Sequence, residues 1–170
     1  KWEVVSIPRP DSMAMCGESM VLVDGNNVVN VSRYRGPIAL VSRSSDFGRT
    51  WSVMKESNLP MTASKPYAGT LSTGHHYLIG NTTSDCRNRR WPLTIALTDA
   101  NGGSFRRVLQ IRDAVRCCVG ESHSRAALSY PYAIEHDGKL YVGYSNDGGR
   151  GVNRNSAELA IIPVANLAGQ

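Results

Sequence analysis

Arginine is the residue type in this chain best suited to recognition chemistry. Arg33, Arg35, Arg90 and Arg154 stand at the ends of apolar stretches or in the polar loops that follow them. A guanidinium is a planar fork that grips a carboxylate through two parallel hydrogen bonds, each worth roughly 1.5 to 3 kcal/mol when shielded from water. Brought together, several of them would hold one carboxylate; dispersed, each is a solvated rim residue. Glu18 in CGESMVL and Tyr130 in LSYPYAIEHDGKLY each open an alternating stretch, and Pro131 fixes the backbone just after the tyrosine. Taken singly, a glutamate in such a place is a hydrogen-bond partner and a tyrosine a packing residue. His75 and His76 are adjacent in TGHHYLIGN; neighbours in a strand point to opposite faces, so at most one can face a given site.

Other chemistries find less support. Cys16, Cys86, Cys117 and Cys118, with His75, His76 or His123, offer no Cys-x2-Cys pair, and adjacent cysteines seldom serve one ion together. We therefore expect no metal and no cofactor, free thiols rather than ligands, and leave the redox compartment open. The net charge of +5, from 19 basic and 14 acidic residues, leans toward anionic partners. Those basic residues are dispersed as SRYR, RNRR, FRR and VNR rather than gathered in a tail, which argues against nucleic acid. No apolar run approaches the roughly 18 residues of a membrane span, so no membrane partner and no signal peptide are expected.

The elements that must position these side chains are announced by a turn. Residues 44 to 51, SSDFGRTW, match Ser-x-Asp-x-Gly-x-Thr-Trp at every defined position. Ser44 and Asp46 are short acceptors for nearby backbone N–H groups. Gly48 supplies a backbone angle that other residues resist, Thr50 resumes the extended chain, and Trp51 is expected to plug the turn onto a hydrophobic layer. The register recurs at Trp2 in WEVVSIPRP and, with the acid shifted to Asp99, in TDANGGSFRRVLQIRD. There Thr98, Gly102, Ser104 and Phe105 take the Ser, Gly, Thr and Trp places. Trp2 and Trp51 lie 49 positions apart, and Trp51 and Phe105 lie 54 apart. A period of about 50 residues marks blades of a propeller or units of a solenoid.

Alternation predicts strands at ESMVLVD, NVVNVSRY, IALVSRS and WSVMK in a first unit, and at KPYAGTL, HHYLIGN, LTIALTD and FRRVLQI in a second. The second unit carries TTSDCRNRRWP as a polar insertion. A third unit holds LSYPYAIEHD, KLYVGYS and ELAIIPV, with a tight Asp-Gly turn in EHDGK and no fourth strand. No helical periodicity is visible. The class is all-β, a propeller of four-stranded antiparallel blades with about three present. We read residues 1–9 as the last strand of a preceding blade, 16–56 and 64–112 as blades, and 126–165 as a final incomplete one. Because Lys1-Trp2 reads as the tail of a turn, we expect the chain to be the C-terminal half of a larger protein. Either the missing N-terminal half or another copy would cover its open edges.

The SSDFGRTW turn, the blade-like spacing, GESMVLVDGNNVVNVSR, RNRRWPLTIAL and SYPYAIEHDGKLYVGYS together resemble the C-terminal half of the sialidase superfamily, the six-bladed neuraminidase-repeat (Asp-box) propellers. The resemblance covers essentially the whole chain. It implies a glycoside hydrolase acting on an anionic, carboxylate-bearing oligosaccharide or polysaccharide. It further implies a tyrosine nucleophile, a glutamate acting as its base, three arginines on the substrate carboxylate and an aspartate as general acid. Glu18, Arg33 about 15 residues after it, Arg90 before WPLTIAL, and Tyr130 match the glutamate, the second and third arginines and the tyrosine. The first arginine and the aspartate would lie in the missing half, so the isolated chain is expected to be inactive. A phenol suits a sugar whose reacting carbon bears a carboxylate, because an anionic nucleophile would be repelled there. Tyr132 and Arg89 are near neighbours of the assigned residues and compete with them.

Asp-box propellers also include polysaccharide lyases on uronic-acid polymers, in which histidine and tyrosine move protons while arginine neutralises the uronate. His75 or His76, with Tyr130 and Arg90, would fill those roles. A non-catalytic glycan-binding propeller is the third reading.

Overall fold

The computed structural model describes residues 1–82, 89–100, 102–113, 126–147 and 156–169. Its strands fall in the order in which alternation and turn residues place them. β1 (Met15–Asp24), β2 (Asn27–Tyr34), β3 (Ile38–Ser44) and β4 (Lys55–Pro60) form one antiparallel sheet in chain order. A second four-stranded sheet follows with β5 (Tyr67–Thr70), β6 (His76–Gly80), β7 (Leu93–Asp99) and β8 (Gly102–Arg112). β9 (Leu128–His136), β10 (Lys139–Asn146) and β11 (Ser156–Pro163) make a third sheet of three strands.

The middle sheet explains how the three stack. In β7, Leu93, Ile95 and Leu97 enter one apolar cluster, together with Tyr77 and Ile79 of β6 and Leu140, Val142 and Tyr144 of β10. The intervening Ala96 and Leu78 enter a second cluster with Leu22, Val31, Ala39 and Leu59 of the first sheet. A strand buried on both faces reads as a continuous apolar run, as LTIAL does, and so the second sheet is packed between the other two. The first strands of the sheets lie in a row, β1 against β5 and β5 against β9. This is a fan of sheets with their first strands inward.

Strand polarity sorts the loops to two ends. One end holds the starts of β1, β5, β7 and β9 and the ends of β2 and β6. There the sheets are tied together by Thr62 N–H to the Asn81 carbonyl at 3.0 Å and by Leu128 N–H to the Arg90 carbonyl at 2.7 Å. The other end holds the tight turns. Asp137 and Gly138, at φ 47° and 67°, form the Asp-Gly hairpin between β9 and β10.

The turn from Ser44 to Trp51 is held by its own side chains. Ser44 Oγ accepts from Gly48 N–H at 2.8 Å and donates to Asp46 at 2.8 Å, while Asp46 accepts from the Thr50 N–H at 2.8 Å and the Thr50 hydroxyl at 2.7 Å. Gly48 sits at φ 84°, the left-handed region that favours glycine. Trp51 behaves differently from expectation. It belongs to neither apolar cluster of the described residues; it is half-buried and its indole N–H donates to the Gly48 carbonyl at 2.8 Å, so it closes the turn onto itself.

Two further differences have local causes. The fourth strand of the first sheet begins at Lys55 rather than Trp51. The stretch before it is taken up by other partners: Ser52 Oγ accepts from Arg43 N–H, and Met54 N–H donates to the Pro8 carbonyl. One turn of helix, α1 (Val164–Ala168), follows β11 although no helical period is visible. Tertiary contact makes it: Val164 and Leu167 are buried in the cluster shared with β10, and Arg107 of β8 donates to the Leu167 carbonyl. Residues 1–10 form no strand, and Trp2 is 98% exposed. No helix among the described residues is long and apolar enough to cross a membrane.

The four acceptor contacts of Asp46, first among them the Thr50 N–H, hold its carboxyl down at about 2 against an ordinary 3.8. A depressed folded value means stabilisation that is complete above the ordinary carboxylate range and is lost as pH falls toward the folded value. Asp46→Asn is therefore expected to lower the thermal midpoint at pH 5 to 7, and the gap to the parent chain to close between about pH 4 and pH 2 in melts followed by circular dichroism. A gap independent of pH would contradict this.

Candidate active site

The sequence-assigned residues lie at the end of the fan opposite the tight turns, in two pairs. Glu18 and Arg33 are the first: Glu18 Oε2 is 2.8 Å from Arg33 Nε, across the β1–β2 ladder. The Nε–H is not aimed at the carboxylate, so this is an ion contact rather than an aligned hydrogen bond. Arg33 Nη1 also donates to the Ala63 carbonyl at 2.7 Å, which fixes the guanidinium against the segment leading into β5. A guanidinium has five N–H groups, so these contacts leave donors for a ligand.

Arg90 and Tyr130 form the second pair. The Arg90 guanidinium carbon lies 5.6 Å from the centre of the Tyr130 ring, a cation–π distance worth about 0.5 to 1 kcal/mol at a partly exposed site. The hydrogen bond from Leu128 N–H to the Arg90 carbonyl fastens the segment before β7 to the start of β9, and so sets this pair. Tyr130 is 47% exposed. Among the described residues no hydrogen bond joins Tyr130 to Glu18. The segment between Ala63 and Tyr67 runs from the first pair to the strand that carries Tyr130, since Arg33 bonds Ala63 and Lys65 Nζ donates to the hydroxyl of Tyr132 on β9 at 3.0 Å.

Backbone strain marks the same two residues. Four described non-glycine residues have positive φ: Glu18 at 44°, Phe47 at 58°, Tyr130 at 55° and Asp137 at 47°. Phe47 and Asp137 belong to tight turns. Glu18 and Tyr130 instead sit at bulges, where the β1–β2 register slips between Met15 and Ser19 and the β9–β10 register slips between Gly143 and Ser145. A bulge re-aims a side chain, and a left-handed non-glycine residue costs about 1 to 2 kcal/mol, so the fold bears strain at both places.

The remaining candidates lie elsewhere. His75 closes the β5–β6 hairpin and His76 opens β6; their Nδ1 atoms bond Thr73 Oγ1 at 2.9 Å and Thr70 Oγ1 at 2.8 Å, respectively. At the far end of β6, Asn81 donates to the Leu128 carbonyl at 3.4 Å, close to Arg90. At about 3.3 Å per strand residue, roughly 15 Å separates the histidines from that end. Arg35 is exposed beyond β2, and Arg89 lies 5.2 Å from the Trp91 ring. Arg154, Cys86, Cys117, Cys118 and His123 fall outside the described residues, as does the Cys16 side chain. Among the described residues no group of three or more His, Cys, Asp or Glu is placed to hold a metal ion. A groove of about 370 Å³ between the first and second sheets, lined by Val29, Lys55, Glu56, His76 and Phe105 among others, contains none of Glu18, Arg33, Arg90 and Tyr130.

Antiparallel sheets stacked face to face, with their first strands inward, define part of a β-propeller. The chain belongs to the BNR repeat-like domain family, whose model matches residues 1–142. No curated protein matches it. Solved structures share the fold at low identity. The α-L-arabinanase of Penicillium chrysogenum, complexed with arabinobiose, is 11% identical with a TM-score of 0.64, over 92% of this chain and 49% of that one. The leech intramolecular trans-sialidase is 15% identical with a TM-score of 0.66, over 89% of this chain and 24% of that one. For the intramolecular trans-sialidase of Ruminococcus gnavus the figures are 15%, 0.63, 92% and 34%. The chain thus spans less than half the length of these structures.

Sequence reasoning missed Lys65 and Tyr67. The Tyr67 ring lies 5.4 Å from that of Tyr132, and burial, with Tyr67 and Glu135 nearby, pushes the neighbouring Tyr77 phenol up to about 12. Only a rule that loops at one end of a fan converge would have found them. The strain at Tyr130 is directly measurable. Tyr130→Gly is expected to be about 1 kcal/mol more stable than Tyr130→Ala in urea denaturation, the reverse of their order in ordinary strand positions. Equal or inverted stabilities would contradict a left-handed Tyr130.

Proposed function

We propose that this chain forms the tyrosine, glutamate and two-arginine part of a glycosidase site for a carboxylate-bearing sugar, with Tyr130 as nucleophile, Glu18 as its base, and Arg33 and Arg90 on the carboxylate. The observation that carries this reading is the placement of the Glu18–Arg33 and Arg90–Tyr130 pairs at one end of the fan, with a strained backbone at the two reacting residues. The likeness to sialidase structures supports it through the fold.

In this mechanism the Tyr130 oxygen, as its proton passes to Glu18, bonds to the anomeric carbon while the glycosidic C–O bond breaks and the leaving oxygen takes a proton from an acid. Water, giving a proton to the conjugate base of that acid, then attacks the anomeric carbon from the face opposite the tyrosine. The bond to Tyr130 breaks, its oxygen takes its proton back from Glu18, and the two inversions retain configuration. The acid and a further arginine have no counterpart among the residues assigned here, and the isolated chain is therefore expected to bind without turnover. The lyase reading needs His75 or His76 beside Arg90 and Tyr130, and their place at the start of β6, away from the end that meets Leu128, does not support it. A neutral disaccharide would leave Arg90 without an anion to hold and Arg33 with Glu18 alone.

We extend the proposal to the open edge. The outer face of the third sheet exposes Ile134, Leu159 and Ile161, an apolar surface of the kind buried between the other sheets. Further sheets of the same ring, from the rest of a longer protein or from a second copy, would cover it; a strictly monomeric mass at high concentration in light scattering would remove the second copy.

Calorimetric titration with 2-deoxy-2,3-didehydro-N-acetylneuraminic acid, its methyl ester and arabinobiose tests the function. The acid is expected to bind at least about tenfold more tightly than the ester, as loss of one charge-assisted contact requires. Arg33→Ala or Arg90→Ala should erase that preference. Equal binding of acid and ester, or release of the fluorophore from a sialoside by the isolated chain, would contradict the proposal as stated.

A further inference from the structure

The segment that runs from the first pair to β9 carries a cation that neither the sequence nor the proposed mechanism uses. Lys65 stands two residues after Ala63, the carbonyl partner of Arg33, and two before Tyr67 at the start of β5. Its ammonium donates to the Tyr132 hydroxyl at 3.0 Å and lies 4.3 Å from the centre of the Tyr132 ring. Tyr132 is exposed and stands two residues beyond Tyr130 on β9, so Lys65 reaches the strand that carries the assigned nucleophile.

The surroundings of Lys65 differ from those of Arg33, Arg106 and Arg112, the described cations that have a carboxylate partner. Arg112 is paired with Glu158 at 3.0 Å, and Arg106 with Asp99 at 3.5 Å. Among the described residues no carboxylate pairs with Lys65; its hydrogen-bond partner is the Tyr132 hydroxyl. An ammonium has three donors and only one is used by Tyr132. The phenol fixes the long, otherwise mobile side chain, and the ring beneath it favours a cation without neutralising it. Such a group is ready for an anion supplied from outside.

We propose that Lys65, held by Tyr132, is a third cationic contact to the anionic group of the ligand, lying between Arg33 and Arg90 and determining specificity for an acidic over a neutral sugar. This rests on the glycan-acid reading given above. Lys65 is assigned to ligand binding, with no part in the covalent step. Its hydrogen bond also makes Tyr132 a positioning residue for the ammonium, distinct from the nucleophile Tyr130.

The test uses the 170-residue chain, the same unsaturated sialic acid and its methyl ester, each titrated by calorimetry. Lys65→Met keeps a stem of similar shape against the Tyr132 ring and removes the charge. It is expected to weaken the acid by about tenfold, the size of one partly exposed charge-assisted hydrogen bond, and to leave the ester unchanged. Lys65→Arg is expected to restore the preference for the acid. Tyr132→Phe, which keeps the ring and removes the hydroxyl, should give a smaller loss in the same direction. Ester binding and the far-ultraviolet spectrum report that the variants remain folded. If Lys65→Met binds the acid as tightly as the parent while Arg33→Ala and Arg90→Ala do not, the Lys65 assignment is overturned and the arginine site stands. If the parent chain itself does not prefer the acid, the glycan-acid reading fails and the role of Lys65 fails with it.

Discussion

The burial of the second sheet on both of its faces is the constraint from which the rest of the molecule follows. Tyr77, Leu78 and Ile79 of β6, and Leu93 through Thr98 of β7, are all withdrawn from water, alternately toward the third sheet and toward the first. Because neighbouring side chains in a strand point in opposite directions, these apolar runs require a sheet above and a sheet below. Once those are in place, the twist natural to each sheet fans the stack, and the first strands β1, β5 and β9 become neighbours. Residues separated by more than a hundred positions, such as Glu18 and Tyr130, then stand at the same end of the molecule.

The two ends of the fan are built by different physics. At the turn end, short polar side chains and residues of positive φ satisfy much of the backbone locally, as Ser44, Asp46 and Gly48 do, and one tie crosses to another sheet, from the Ser72 N–H of the β5–β6 turn to Glu135 of β9 at 2.8 Å. At the site end the hydrogen bonds run between sheets: Thr62 to Asn81, Leu128 to Arg90, Arg33 to Ala63. A further tie away from the site joins Arg112 of β8 to Glu158 of β11. Burial would raise the Glu158 carboxyl, but Arg112, Asn146 and Tyr144 hold it below the usual carboxylate range. Of the four described non-glycine residues with positive φ, Phe47 and Asp137 serve turns at the first end, and Glu18 and Tyr130 lie at the second.

What could be read beforehand follows the same division. The strand pattern, the Asp-Gly hairpin, the side-chain-bonded turn and the three-stranded last sheet were legible because each depends on neighbours in the chain. The true start of β4 was hidden, since it depends on Ser52 and Met54 finding partners on Arg43 and Pro8. The one-turn helix after β11 owes its existence to buried Val164 and Leu167. The positive φ of Glu18 and Tyr130 had no sequence signal either: bulges at non-glycine residues are imposed by the ladder, not by propensity. The resemblance named Glu18 and Arg33 without indicating that they touch, and Lys65 became visible only when the loop ends converged. Residues 1–9, expected as a strand of a preceding blade, form no strand here, and their backbone meets the first sheet where the Pro8 carbonyl accepts from Met54.

The central claim is that Arg33 and Arg90, on different sheets, face one ligand beside Tyr130. A crystal structure of the chain soaked with the unsaturated sialic acid tests it most directly. The account predicts one carboxylate within about 3 Å of both guanidinium groups, hydrogen-bonding distance, with the ring carbon that bears it turned toward the Tyr130 hydroxyl. A ligand seated instead in the groove beside Lys55 and His76, or touching only one of the two arginines, would contradict it.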